Sequence, residues 1–263
     1  MKRAIPVLWV IMVLIILYAP LCILAFYSFT DVSAIGATGH FSLENYITLF
    51  SSEELRSMIM DTLVLAGAVS VLATILGTLG AIGSFYSKAR VNRTIGMVNQ
   101  VPVINADVVT GFSICILMLA IFRVHKESYI PLVAGLTSLC APFCYLSVMP
   151  RLQQMDHELY EAALDLGCTE RQALFKIVIP QIIPGILSGF MMSFTLTLDD
   201  YFITTYTKPA VFNTISTYVV NATKGAQTEI KTALWALSTV MFLLVVVIVL
   251  CMNRKHKIGG VGR

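Results

Sequence analysis

The sequence predicts an all-α integral membrane protein with six transmembrane helices, and three observations carry that prediction. Hydrophobic residues fill 57% of the 263 positions and charged residues only 13%, against roughly 45–50% apolar in a soluble domain. The apolar residues gather into six runs near the roughly 20 residues that a helix needs to cross a hydrocarbon core about 30 Å thick. Lysine and arginine collect in the short segments between runs and at the ends, where positive charge orients a membrane chain. The net charge of +3 is small and scattered, which argues against a nucleic-acid-binding stripe.

The first run, residues 7–29, follows Lys2 and Arg3. It is longer than the roughly 7–15-residue apolar region of a secretory signal and has no convincing small-x-small cleavage site, so it is expected to remain as an uncleaved span kinked at Pro20. Residues 30–61 are polar and glycine-punctuated, with Phe41 to Phe50 expected as a short helix on the membrane surface. The second span, 62–86, is dense in Gly67, Gly77, Gly80 and Gly83, small residues that let membrane helices approach closely. Val108 to Phe122 is short for a crossing, so the third span is expected over 101–122 and has to include Pro102, Asn105 and Asp107. The fourth is expected over 129–149, the fifth over 182–205 with Asp199 and Asp200 inside it, and the sixth over 233–252, all within one transmembrane domain covering 1–263.

An even number of spans puts both termini on one side. That side carries Lys2, Arg3, Lys88, Arg90, Arg93, Arg151, Arg171, Lys176, Arg254, Lys255, Lys257 and Arg263, twelve cations against six on the other: Arg56, Arg123, Lys126, Lys208, Lys224 and Lys231. The excess places both termini and the segment 150–181 in the cytoplasm.

That segment is the one long polar, helix-patterned connection. Met155, Leu159, Ala162, Ala163 and Leu166 form one apolar stripe, while Glu158, Glu161 and Asp165 lie on another face. Gly167 is suited to a left-handed helix end, and Thr169 with Gln172 makes a capping box for a second helix. Proline lacks the N–H that a helix interior needs, so the second helix is expected to stop before Pro180. Two short helices joined at a glycine result.

The order Glu161-Ala162-Ala163, Gly167, Ile177 and Ile179-Pro180 resembles the EAA loop of ABC importer permeases, with isoleucine where that family usually has leucine before the proline. The resemblance runs along nearly the whole chain and is strongest to the permeases of spermidine/putrescine importers. It implies the type I importer permease fold in the bacterial inner membrane and a coupling role for Glu161, Ala162, Ala163, Gly167, Ile177 and Pro180 in docking to an ATPase. It further implies a second homologous permease, two ABC ATPase subunits that bind ATP and Mg, and an extracytoplasmic polyamine-binding protein as partners, with lipid around the bundle.

No G-x-x-x-x-G-K-[ST] motif occurs, so ATP hydrolysis is expected from a separate subunit and no catalytic residue is assigned to this chain. His40, His125, His157 and His256 have no metal-site spacing, so neither metal nor cofactor is expected. Six cysteines, Cys22, Cys115, Cys140, Cys144, Cys168 and Cys251, are read as small buried hydrophobes.

Carboxylates inside spans are the candidate pathway residues. An aspartate at a span centre costs about 2.5–3.5 kcal/mol on insertion scales, so Asp107, Asp199 and Asp200 need a cavity or a partner. A passing cation would supply one, with Tyr201, Tyr206 or Trp235 offering aromatic faces. Ser193 to Asp200 also resembles the fifth-span sequence of the polyamine permeases, and Asp107-Val108 continues a similar pattern although Asn105-Ala106 replaces the usual serine-proline. Two alternatives stay open: that Asp199 or Asp200 caps a broken helix, and that the solute is another small organic cation or a different solute. An ion-coupled secondary transporter is a further alternative, although the sequence has no convincing internal repeat.

Overall fold

The computed structural model describes residues 4–31, 40–224, 235–243 and 245–247. Among the described residues the helices include, in order, α1 Ala4–Ser28, α2 Glu44–Ser51, α3 Glu53–Phe85, α4 Ala89–Ile104, α5 Asp107–Ile116, α6 Ile130–Gln153, α7 His157–Asp165, α8 Glu170–Ala173, α9 Ile179–Asp199, α10 Phe202–Thr207 and α11 Ile215–Lys224. Two π-helical turns, Leu117–Ile121 and Leu174–Val178, extend α5 and join α8 to α9. Extended pairing among the described residues is limited to an isolated bridge between Thr30 and Phe41.

Among the described residues, four stretches are long and apolar enough to cross a membrane: Trp9–Ser28, Glu53–Phe85, Ile130–Gln153 and Glu170–Asp199. The expected third span is not one helix. Ala89–Ile104 and Asp107–Ile121 meet at a bend of 104°, and together they make a fifth candidate. Asn105 and Ala106 adopt extended backbone between them, and the Asn105 side-chain amide donates to Thr110 Oγ1 at 3.1 Å. The break starts a new helix at Asp107, where the positive end of the helix dipole favours a carboxylate that would be costly inside an apolar span. The described part of the expected sixth span is helical over 235–243 and 245–247, and its limits at 233 and 252 lie outside the described residues.

The chain forms two compact units, one of residues 1–58 and 218–263 and the other of residues 59–217. In the first, α1 is an exposed apolar rod whose end is tied to the following segment. Asn45, buried on α2, donates to the carbonyls of Ser28 and Thr30 at 3.2 and 2.8 Å.

In the second unit α6 is the hub. Leu65, Val69 and Ala73 of α3 pack with Leu132, Leu136, Leu139, Cys140 and Cys144 of α6 and with Ile203 of α10. Farther along, Tyr145, Val148, Met149 and Leu152 of α6 pack with Ala81, Met155, Val178 and Ile182. Glycines set the spacing. A Cβ at Gly77 would lie 2.5 Å from Cys144 Cβ and 2.7 Å from the Ala141 carbonyl oxygen; at Gly189, 3.0 Å from Cys144 Cα; at Gly185, 2.9 Å from the Ser147 carbonyl oxygen. Gly185 and Gly189 form a G-x-x-x-G pair, the spacing that lets membrane helices touch backbone to backbone.

Cys140 and Cys144 are buried as expected, and they also bond: Cys144 Sγ lies 2.9 Å from Ser193 Oγ and donates to the Gly189 carbonyl at 3.3 Å. Cys22 departs from the expectation because α1 presents it on an exposed apolar face, Cys115 and Cys168 are half-buried, and Cys251 lies outside the described residues.

Gly189→Leu is expected to destabilise the chain by about 1–3 kcal/mol or more through overpacking. Gly83→Leu, where a Cβ meets open space, is expected to be near neutral. The share of monodisperse protein surviving a heat ramp in detergent measures both, and equal survival would remove the close-packing argument.

Candidate functional site

The polar hairpin forms as the residues dictate. Asp156 caps α7, its side chain accepting the Glu158 N–H at 3.0 Å. At the other end Gly167 has φ of +88°. The Gly167 N–H reaches the Leu164 carbonyl at 2.9 Å and the Cys168 N–H reaches that of Ala163 at 3.0 Å, the two bonds of a Schellman ending. The predicted capping box is present: Gln172 N–H donates to Thr169 Oγ1 at 3.3 Å, and the Thr169 N–H donates to Gln172 Oε1 at 3.1 Å.

Glu161 and Ala162 are exposed, whereas Ala163 and Ala173 are buried, and Met155 and Val178 at the two ends of the hairpin pack into the α6 core. Ile177 is half-buried. Leu159, Leu166 and Phe175 are bare, Leu166 at 87% exposure. The hairpin therefore displays an acidic and apolar surface on a rigid base. Tyr160, missed in the sequence reading, packs tilted against Tyr86 just beyond α3 with ring centroids 5.3 Å apart.

The second helix does not stop before Pro180. Glu170 to Asp199 runs as one helical stretch of 30 residues, and Pro180 lies exposed in the first turn of α9. The π turn explains the difference: it widens the coil where the proline ring would press on the Lys176 carbonyl, and proline lacks only an N–H that a first turn can spare.

At the far end of that rod the two adjacent aspartates part. Asp200 is 8% exposed, and its Oδ2 accepts the Thr204 N–H at 2.8 Å and the Thr204 hydroxyl at 2.7 Å. Its carbonyl accepts from Ser216 Oγ. Asp200 thus ends α9 and caps α10, so the expected fifth span over 182–205 is two helices broken at Asp200 and Tyr201. Asp199 is exposed.

Asp107, exposed at the start of α5, lies within electrostatic reach of Asp200. The approach of α5 and α6 to α10 depends on Gly111 and Gly135, where an added Cβ would lie 2.9 Å from Ile203 Cα and 2.8 Å from Ile203 Cγ2. Tyr201 is half-buried against Phe202, and Tyr206 meets Phe112 edge-on at 6.0 Å. Trp235 belongs to the first unit, where it packs edge-on against Tyr27 at 5.5 Å. Three candidate carboxylates and two tyrosines thus fall in one unit, at two helix breaks. Thr204 and Ser216 were not singled out from the sequence, although an aspartate four residues before a threonine after a long apolar helix is a readable capping signal.

A separate apolar groove of about 600 Å³, lined by residues including Leu72, Leu76, Ile130 and Thr137, has no carboxylate in its wall and does not mark a path for a cation.

Helices long and apolar enough to cross a membrane, with a glycine-ended polar hairpin between two of them, define a helical membrane protein. The family model described as "Binding-protein-dependent transport system inner membrane component" matches residues 1–257, and this chain belongs to that family. It is 27% identical over 233 residues to the putrescine transport system permease protein PotI of Escherichia coli K12, covering 85% of this chain and 83% of PotI. To the spermidine/putrescine transport system permease protein PotC of Haemophilus influenzae it is 28% identical over 243 residues, covering 91% and 93%. A chain of a bacterial alginate ABC transporter superposes with a TM-score of 0.75 at 19% identity, covering 97% of this chain and 94% of that one, and a chain of the MetNI methionine transporter with 0.59 at 14%, covering 81% and 100%. The fold is that of ABC importer permeases.

Asp200→Ala is expected to cost about 1 kcal/mol or more of stability by removing the α10 cap. Asp199→Ala is expected to leave thermal stability unchanged; a similar loss in both, read by thermal denaturation in detergent, would contradict the division of roles. Gly167→Ala is expected to cost about 1 kcal/mol at its left-handed backbone, measured in the same way.

Proposed function

We propose that this chain is the permease through which an ATP-driven importer moves spermidine, putrescine or a closely related organic cation across the inner membrane. The observation that carries this reading is the pair of exposed carboxylates, Asp107 and Asp199, each beside a helix break and each lying in a region expected to be membrane-spanning. A polyamine ammonium passing between them supplies the opposite charge that such groups require and donates charge-assisted hydrogen bonds to them. The names of the PotI and PotC relatives support the same substrate class.

The partners follow from this reading: a second, PotB-like permease, two PotA-like ATPase subunits that bind and hydrolyse MgATP, and a PotD-like extracytoplasmic binding protein. Both termini and the α7–α8 hairpin lie in the cytoplasm. Closure of the ATPases moves the hairpin, whose exposed Glu161, Ala162, Leu166 and Phe175 form the docking face. Because Glu170 to Asp199 is one helical stretch, about 45 Å long at 1.5 Å per residue, displacement at the hairpin reaches Asp199 without crossing a loop. Alternating access results, and the permease itself makes and breaks no covalent bond.

Two measurements test the proposal in the reconstituted complex. Asp107→Asn with Asp199→Asn is expected to lower uptake of labelled spermidine and putrescine by about tenfold or more, each lost charged contact being worth about 1.5–3 kcal/mol, while ATPase association is retained. Undiminished uptake would remove the substrate argument. Glu161→Lys is expected to abolish coupled uptake while the chain still inserts; normal transport by that variant would remove the docking role.

A further inference from the structure

Helix α2 presents three distinct faces. Asn45 and Leu49 point inward and are buried. Glu44, Thr48 and Ser51 line a wet side, and Leu43, Ile47 and Phe50, at spacings of four and three, make an outward apolar stripe. Ile47 is 64% exposed and Phe50 60%, and Phe41 beside them is 76% exposed. The stripe is not an accident of a loose segment. Asn45 holds α2 to the last carbonyls of α1, Ser28 shares a hydrogen bond with Tyr46, and Phe29 stacks on Phe41 and tilts against Tyr46, with centroids 6.0 and 5.0 Å apart.

Those contacts fix the depth of the helix. Trp9–Ser28 is a membrane span of 20 residues, about 30 Å long and the thickness of a hydrocarbon core. A helix bonded to its final turn therefore sits at the headgroup boundary, and its apolar stripe continues the exposed apolar surface of the span. Glu44 on the wet side, with Glu53 and Glu54 exposed at the start of α3, gives this edge a negative charge, so anionic headgroups offer no attraction.

We propose that α2 is an interfacial helix: Phe41, Leu43, Ile47 and Phe50 are seated among lipid at the boundary of headgroups and acyl chains, where they hold the end of α1 at a set depth. The occupant of the stripe is uncharged or zwitterionic lipid, held by apolar burial.

Site-specific photo-crosslinking tests this without relying on the transported solute. The full chain carrying p-benzoylphenylalanine in place of Phe50, assembled in its complete transporter in vesicles of phosphatidylcholine and phosphatidylethanolamine, is irradiated and analysed by mass. Lipid adducts are expected at about the yield given by the same probe at Ile15 in the span, and about tenfold or more above that at Thr48 on the wet side. Adducts mainly to another polypeptide would assign the stripe to a protein partner and overturn the proposal. So would a yield at position 50 no higher than at 48, or an adduct that forms only when anionic lipid is added. Impaired uptake by Asp107 or Asp199 variants has no bearing on this result, so the two proposals fail separately.

Discussion

Contact between helix backbones at Cys144 is the constraint on which the second unit depends. Gly77 approaches this cysteine from α3 and Gly189 from α9; a Cβ at Gly77 would overlap the cysteine, and one at Gly189 would press on its Cα at 3.0 Å. In a bilayer no hydrophobic gain drives helices together, since lipid is as apolar as leucine. Close dispersion contact and buried polar bonds must do so instead, and both are concentrated here: glycines bring the backbones together, and the thiol then reaches the Ser193 hydroxyl and the Gly189 carbonyl. With α6 fixed between α3 and α9, its other neighbours are placed by the same means, Gly111 and Gly135 admitting Ile203 of α10.

Rigidity in this core gives meaning to the breaks around it. Two π turns, a bend of 104° and a capped interruption at Asp200 lie in helices packed on or beside α6. Three of these four answer a local conflict. The π turn before α9 accommodates Pro180, the bend keeps Asp107 at a helix start, and the Asp200 side chain replaces backbone bonds lost between α9 and α10. Irregular backbone at membrane depth is tolerated only where protein or a water-lined path satisfies it, and the packing around α6 supplies protein partners at these places.

Adjacent residues can hold opposite roles on such a scaffold. Asp200 spends its carboxylate on Thr204 and is buried; Asp199, about 100° away around the helix, is not. One aspartate maintains the break and its neighbour is exposed. In the same way the hairpin separates support from display: Ala163 and Ala173 are buried in its base, while Leu166 and Phe175 are offered outward.

The sequence by itself determined the membrane class, the glycine-ended and Thr169-capped hairpin, and the short helix within Phe41 to Phe50. These depend on composition and on bonds between residues no more than five apart, which any local reading captures. Only the tertiary structure decided that the helix persists through Pro180, that the third and fifth spans are broken, which aspartate is the cap, and that Trp235 packs with Tyr27. The Trp235 contact joins residues far apart in the chain, and the other outcomes turn on the three-dimensional geometry in which a proline ring or a carboxylate finds room. Periodicity records which face of a helix is apolar, but it holds no information on which other helix will meet that face.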